Sequence, residues 1–181
     1  MEQDYWRYVA RFTPETLGEL MKQYGQEVWN YAYCLTGRTD QADDISQEVF
    51  LKVLRSTNGF RGESSIRTWL FAIARNCAIN LRRSAFLRRV TLMDLVERRE
   101  LSPSAEAEAM ANVFADDLWE TVMALPAKYR ELLVLDAKYE MTLKEMAQLT
   151  GLSLGTVKSR LSRARRKAAE AWEGGDAYER A

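Results

Sequence analysis

The segment that most restricts how this chain can fold covers residues 142–167 and reads TLKEMAQLTGLSLGTVKSRLSRARRK. It predicts a helix, a tight turn at Gly151 and a second helix. Thr142 and Glu145 stand at the positions of a capping box, in which each side chain satisfies a backbone donor at the helix start. Ser153 can cap the second helix in the same way. Apolar residues at helical spacing supply the contacts between the two helices: Met146, Ala147, Leu149, Leu152, Val157 and Leu161.

The second helix of this segment carries charge of one sign. Its basic residues are Lys158, Arg160, Arg163, Arg165, Arg166 and Lys167, with no acidic residue among them. A solvated helix, which is the alternative interpretation, usually mixes signs to gain i,i+4 pairs, whereas a purely basic helix repels itself unless a polyanion is near. The capped partner helix, the glycine turn and the basic helix together predict a helix-turn-helix that enters the major groove of DNA.

The chain contains no histidine. This removes the usual general base, the usual transition-metal ligand and the Ser-His or Cys-His nucleophile pairs, so we expect no enzymatic activity and no cofactor. Cys34 and Cys77 have no paired spacing and no secretory leader precedes them, which favours a reducing, cytoplasmic location. No apolar run approaches the roughly 20 residues of a membrane-spanning helix.

The formal net charge of zero averages over segments of opposite sign. The charged residues of segment 1–48 are mainly acidic, those of segment 52–92 are mainly basic, and those of segment 94–120 are again mainly acidic. Two basic surfaces separated by an acidic connector are therefore expected, and the acidic segments oppose nonspecific binding to DNA.

Apolar residues recur at helical spacing almost throughout, and no alternating run bounded by turn signals indicates a strand. We therefore predict an all-α fold, with helices over residues 16–35 and 41–56 and a third that begins near Ser65. Helical spacing predicts these inward-facing positions in the first helix: Leu17, Leu20, Tyr24, Val28, Tyr31, Ala32 and Leu35. In the second helix it indicates packing for Ile45, Val49, Phe50, Val53 and Leu54. The second helix would present acidic and amide side chains to solvent. The third interleaves Trp69 with arginines beside a glycine-containing loop over residues 58–65, a pattern typical of single-stranded nucleic-acid surfaces. Trp69 taken alone is more often a core residue.

Three segments, in this order, resemble regions 2 and 4 of the small two-domain sigma factors of bacterial RNA polymerase, the extracytoplasmic-function group: DQADDISQEVFLKVLRS, FRGESSIRTWLFAIARNCAINLRR and LPAKYRELLVLDAKYEMTLKEMAQLTGLSLGTVKSRLSRARRKA. The resemblance covers about residues 15–90 and 119–168. It implies two small helical domains joined by a flexible linker. The expected division is region 2 over residues 1–90, an acidic linker over 91–118, region 4 over 119–172 and a tail over 173–181.

The resemblance also implies which residues contact which partner. The helix that would dock on the clamp helices of the polymerase's largest subunit carries Asp43, Asp44, Gln47, Glu48 and Phe50. Capture of flipped bases of the minus-10 element would fall on Phe60, Ser64, Ser65, Trp69, Asn76 and Asn80. Contacts to the minus-35 element would fall on Thr156, Lys158, Ser159, Arg160, Ser162, Arg163 and Arg166. Of the basic residues, Arg160, Arg165 and Arg166 are expected on phosphates, because each successive residue turns by 100° around the helix.

The function implied is that of a dissociable sigma subunit that binds core polymerase, including the flap of the second-largest subunit, and reads promoter DNA. A cognate anti-sigma factor, often membrane-bound in this family, is a further expected partner. Two other functions fit parts of the sequence. A stand-alone helix-turn-helix regulator would leave the acidic helix and the aromatic loop unexplained. A helical metalloenzyme would use Asp44 and Glu48 as ligands, although helical metal sites ordinarily include histidine.

Overall fold

The computed structural model of the chain describes residue 6 and residues 12–56, 60–91 and 117–179, and it describes their side chains except for those of residues 85–91, 117–118 and 173–179. All regular secondary structure within these residues is helical, which confirms the predicted fold class. The chain divides into two compact units, Met1–Ser102 and Pro103–Ala181.

The first unit is built from three helices: α1 over Pro14–Thr36, α2 over Thr39–Arg55 and α3 over Ile66–Thr91. Each of the three packs against the other two. Helix α1 begins with a capping box in which the Thr13 N–H donates to Thr16 Oγ1 at 2.8 Å and the Thr16 N–H donates to Thr13 Oγ1 at 3.3 Å. It ends at Gly37, whose φ of 69° lies in the left-handed region that glycine adopts without strain.

The core of the first unit is aromatic and aliphatic. Tyr31 and Phe71 are fully buried and stack with ring centroids 4.4 Å apart. Leu20 and Val28 of α1 and Val49 of α2 are buried with them at 0% exposure. The inward-facing positions predicted from helical spacing in α1 are buried, except Leu17, which is partly exposed.

The second unit contains four helices: α4 over Asp117–Ala124, α5 over Ala127–Ala137, α6 over Leu143–Thr150 and α7 over Leu154–Glu179. Helix α5 is buried on almost every side. Its Arg130 is 8% exposed and donates from Nη1 to the Met123 carbonyl at 2.6 Å, which satisfies one of the carbonyls left open at the end of α4.

Helices α6 and α7 form the predicted helix-turn-helix. The Thr142 N–H donates to Glu145 Oε2 at 2.8 Å and the Glu145 N–H donates to Thr142 Oγ1 at 3.3 Å, as the capping box requires. Gly151 ends α6 with a φ of 70°. The Ser153 hydroxyl accepts the Thr156 N–H at 3.2 Å and so caps α7, as predicted.

Two helices end close to or within the expected linker and tail. Helix α7 continues to Glu179, into the segment 173–181 that the sequence suggested as a tail. Helix α3 ends at Thr91, next to the expected linker start. Most of that linker, residues 92–116, lies outside the described residues, as do residues 57–59 of the predicted loop and residues 180–181.

Candidate functional site

Helix α7 is attached to its unit along one side and exposed on the other. Val157, Leu161 and Ala164 are 0%, 4% and 0% exposed and define the attached side. At 100° per residue, the opposite side is centred between Ser159 and Ser162. This side presents three exposed residues that were predicted to face the DNA groove, Ser159, Ser162 and Arg163. The exposed Arg166, which was expected on a phosphate, lies on the same side.

The hydroxyl groups at the start of α7 are bonded within the helix. Thr156 Oγ1 and Ser153 Oγ lie 2.8 Å apart, and Ser159 Oγ donates to the Thr156 carbonyl at 3.1 Å. Thr156 and Ser159 therefore bring small, locally bonded hydroxyls to the outer side of the helix, which lets a neighbouring backbone or base edge approach closely. Lys158 is exposed on one flank of this side and Arg160 is half-buried on the other.

Two arginines of α7 have acidic partners that the sequence analysis missed. Arg165 Nη2 donates to Asp136 Oδ2 of α5 at 2.7 Å. Arg166 Nε lies 3.5 Å from Glu170 Oε1, one turn further along the same helix. Arg165, which was expected on a DNA phosphate, is thus bound to a carboxylate of its own unit. The i,i+4 spacing of Arg166 and Glu170 was a signal for the second pair, whereas the first joins residues far apart in sequence.

The second candidate surface lies on α3 and the loop before it. Trp69, Asn76 and Asn80 share one face of α3, because their spacings of seven and four residues each return close to the same angle. Both asparagines are exposed, so their amide groups are available to solvent. An exposed amide can pair with the edge of an unstacked base.

Trp69 contacts two phenylalanine rings. Its ring centroid lies 5.9 Å from that of Phe12 and 5.5 Å from that of Phe60, and Phe12 in turn stacks on Trp6 at 6.2 Å. Trp69 itself remains half-buried. The contribution of Trp6 and Phe12 was missed from the sequence; the available signal was an apolar residue directly before the helix cap Thr13, a position that often packs onto the helix it precedes.

The serines of the loop have structural partners. Ser65 Oγ accepts the Thr68 N–H at 3.1 Å and so caps α3, and Ser64 Oγ donates to the Ser65 carbonyl at 3.2 Å. Ser65, which was predicted to contact bases, therefore fixes the start of α3. Ser153 in the second unit does the same for α7, and the same sequence reasoning would have found this cap.

Helix α2 presents the predicted acidic face, but its members differ in their surroundings. Asp43 Oδ1 accepts a hydrogen bond of 2.6 Å from the Trp29 indole N–H, and Glu48 Oε1 lies 3.0 Å from Lys52 Nζ. Asp44 and Gln47 are exposed between them. The face is therefore an acidic surface in which Asp43 is oriented by an aromatic residue of α1.

Two aromatic residues that were predicted to contact partners are buried in the first unit. Phe50 is 4% exposed and Phe60 is 6% exposed. Burial of an aromatic ring removes a large apolar area from water, so both rings contribute mainly to packing in this structure. Helical periodicity had indicated Phe50 as a packing residue as well, and the structure agrees with that indication.

Three titratable groups on or near α2 have pKa values shifted from their ordinary values. Burial raises the pKa of the Cys77 thiol, and the hydrogen bond with Glu48 raises the pKa of Lys52. A hydrogen bond from Arg38 lowers the pKa of Asp40 at the start of α2. These shifts favour the neutral thiol and the charged forms of the ion pairs, which is the behaviour of structural and surface groups.

Within the described part of the chain, no group of three histidine, cysteine, aspartate or glutamate residues is arranged to hold a metal ion. Asp44 and Glu48, the ligands of the metalloenzyme alternative, therefore gain no third ligand among these residues. In the same part of the chain, no helix is long and apolar enough to cross a membrane.

Comparison with protein families gives two matches, one in each unit. Sigma-70 region 2 matches residues 20–86, and Sigma-70 region 4 matches residues 115–167. The RNA polymerase sigma factor YlaC of Bacillus subtilis is 31% identical over 153 residues, which cover 83% of this chain and 88% of the relative. The extracytoplasmic-function sigma factor SigW of the same organism is 24% identical over 170 residues, covering 88% of this chain and 90% of the relative.

Solved structures give the same architecture. One is the sigma factor RpoE of Bartonella quintana, solved in complex with the anti-sigma factor NepR. The match covers 88% of this chain and 98% of the RpoE chain, with a TM-score of 0.67 and 22% sequence identity. CnrH, solved in complex with the cytosolic domain of CnrY, matches 90% of both chains with a TM-score of 0.61 and 25% identity.

Proposed function

Because this chain belongs to the extracytoplasmic-function group of the sigma-70 family, we propose that its two units bind the minus-35 and minus-10 elements of a promoter while α2 binds core RNA polymerase. The chain is a sigma subunit that directs promoter-specific initiation of transcription. The assignment of individual residues to each contact is the proposal. The observation that carries it is that two exposed surfaces of different chemistry, the basic outer side of α7 and the amide-bearing face of α3, lie in separate compact units.

The second unit is suited to double-stranded DNA. The outer side of α7 combines small serines, which let the helix approach the base edges, with Arg163, whose guanidinium can donate two hydrogen bonds to guanine O6 and N7. Lys158 and Arg160 lie on its flanks, where phosphates pass. We therefore assign the minus-35 element to Thr156, Lys158, Ser159, Arg160, Ser162, Arg163 and Arg166.

The first unit is suited to separated strands. Asn76 and Asn80 offer amide groups on an exposed helix face, beside an aromatic cluster that ends at Trp69. We assign reading of the minus-10 element to these asparagines, with Ser64 and Trp69 at the edge of the same surface. Phe60 and Ser65 act on this surface by fixing the loop and the start of α3.

The acidic face of α2 is the proposed contact with polymerase. Asp44 and Gln47 are exposed and Asp43 is oriented, so a basic partner surface such as the clamp helices could approach all three. We place the chain in the cytoplasm, where polymerase acts, and we assign it no catalytic step. RpoE of Bartonella quintana is bound by the anti-sigma factor NepR, and CnrH is bound by the cytosolic domain of CnrY. We propose that a cognate anti-sigma factor likewise binds this chain.

Transcription in vitro with core polymerase and a library of promoter templates tests the function. We expect specific start sites that appear only when the chain is added. No promoter-specific product from any template would contradict the proposal and favour a stand-alone regulator.

Two variants separate the proposed contacts. Arg163→Ala should lower promoter discrimination at one upstream position by about 1 to 3 kcal/mol while core binding is unchanged. Asp44→Lys should weaken association with core polymerase, measured by co-purification, while leaving the upstream preference intact. If Asp44→Lys binds core polymerase as well as the unaltered chain does, the proposed contact between α2 and polymerase is wrong. The proposed DNA contacts would not be affected by that result.

A further inference from the structure

Asp136 and Arg165 form a contact that the promoter-binding function does not require. Arg165 lies on the same flank of α7 as Lys158, because the two residues are seven positions apart and so lie within about 20° of one another around the helix. Lys158 is exposed, whereas the Arg165 guanidinium donates to Asp136 Oδ2 at 2.7 Å. The flank that begins with a cation available for phosphate thus continues with one that is already neutralised.

The geometry of Asp136 favours a persistent contact. Its side chain is 24% exposed, while that of Arg165 is 61% exposed, so the carboxylate is the partly shielded member of the pair. Asp136 is the next-to-last residue of α5, where the negative end of the helix dipole disfavours a carboxylate. Arg165 offsets that unfavourable charge. The Arg166–Glu170 contact is longer and joins two side chains that are each more than 60% exposed, so it holds its arginine less firmly.

We propose that Asp136 is a positioning residue that withholds Arg165 from DNA phosphates and so lowers the affinity of the chain for DNA of any sequence. The carboxylate and a phosphate oxygen compete for the same guanidinium donors, and only one can accept them at a time. Sequence-independent affinity is supplied almost entirely by such phosphate contacts. A chain with fewer of them is retained less by the many competing sites of a genome. This inference rests on the proposed contact between α7 and duplex DNA.

The expected effect can be stated as a salt dependence. Each additional phosphate neutralised makes the slope of log K against log salt steeper by about 0.9. Release of Arg165 should therefore make this slope steeper by about one and tighten the binding of the chain to duplex DNA by about five- to tenfold near 0.1 M salt.

The test measures binding of the full-length chain to a short fluorescent DNA duplex of arbitrary sequence over a salt series. Asp136→Asn, which keeps the side-chain shape, should bind more tightly than the unaltered chain and with the steeper slope. Arg165→Gln alone should change the slope little, because that guanidinium is not on DNA. The double variant should behave as Arg165→Gln, because the gain from Asp136→Asn requires the released arginine.

A matched control removes one negative charge without releasing a cation. Glu120→Gln lies on an exposed position of α4 in the same unit, so it changes the net charge by the same amount. It should leave the slope unchanged. The inference is overturned if Asp136→Asn and Glu120→Gln change the salt slope equally, or if Asp136→Asn binds no more tightly than the unaltered chain. It is also overturned if Arg165→Gln alone makes the salt slope shallower by about one.

The outcomes also separate this inference from the proposed function. If the holoenzyme initiates at specific promoters but Asp136→Asn does not change duplex binding, only the inference fails. If no variant binds duplex DNA at the lowest salt and the holoenzyme gives no promoter-specific product, the assignment of α7 to DNA fails with it.

Discussion

Replacement of Phe12 by alanine should destabilise the unit that carries the minus-10 surface. The Phe12 ring is 2% exposed, and its centroid lies 6.2 Å from that of Trp6 and 5.9 Å from that of Trp69. Loss of a buried phenylalanine ring costs about 3 to 5 kcal/mol through lost burial and the remaining cavity. Of this, each of the two aromatic pairs accounts for about 0.5 to 1.5 kcal/mol beyond the burial of area.

Urea denaturation of the full chain, followed by tryptophan fluorescence and by circular dichroism, measures this effect. Trp6, Trp29 and Trp69 report on the first unit, so its transition should move to lower urea. Met21→Ala is the matched control, because Met21 is in the same unit but 47% exposed. We expect the control to change the free energy of unfolding by less than about 0.5 kcal/mol.

The connection to the promoter surface can be tested by a double-mutant cycle. Phe12 and Phe60 both contact Trp69, so the effects of Phe12→Ala and Phe60→Ala on unfolding should depart from additivity by about 0.5 kcal/mol or more. A loss below about 1 kcal/mol in Phe12→Ala would show that the aromatic cluster does not support the unit. Strict additivity would show that Trp69 does not link the two rings.

Three further predictions follow from local contacts. Thr142→Ala removes the capping box of α6 and should cost about 1 kcal/mol in the unfolding of the second unit, measured by thermal denaturation. Cys34 and Cys77 are buried, and burial raises the pKa of the Cys77 thiol. A thiol reagent should therefore modify the folded chain slowly, and it should modify both cysteines of the denatured chain fully. Rapid modification of the folded chain would contradict the burial of the two thiols. Arg38→Gln should raise the pKa of Asp40 measured by NMR, because the hydrogen bond from Arg38 keeps that pKa low. The stability that this pair contributes is present above the unfolded-state pKa of Asp40 and is lost as pH falls through its lowered folded-state pKa. An unchanged pKa of Asp40 in Arg38→Gln would show that Arg38 is not the cause of the shift.

The sequence predicted most reliably what depends on neighbouring residues. The capping box of Thr142 and Glu145, the cap at Ser153 and the turn at Gly151 are all present, because each depends on residues within a few positions of one another. The inward-facing positions of α1 followed from helical periodicity for the same reason. The assignments of individual residues to polymerase and promoter contacts stay predictions.

What the sequence could not reveal are contacts between residues distant along the chain. The pairing of Arg165 with Asp136 and that of Trp29 with Asp43 join separate helices, and no spacing rule predicts them. Composition suggested a helix whose basic residues were all available to DNA. The structure shows instead that one basic residue counted in the sequence, Arg165, is already paired with a carboxylate of its own unit.

This difference has a consequence for how promoter preference can change. Ser159, Ser162 and Arg163 lie opposite the buried side of α7, so substitutions there should alter base reading with little effect on stability. On the other surface, Phe60 is part of the aromatic cluster and Ser65 caps α3, so substitutions there alter the fold and the contact together. We therefore expect substitutions of Phe60 or Ser65 to lower the stability of the first unit as they alter the downstream contact. Substitutions of Ser159, Ser162 or Arg163, like those of the exposed Asn76 and Asn80, should alter base reading alone.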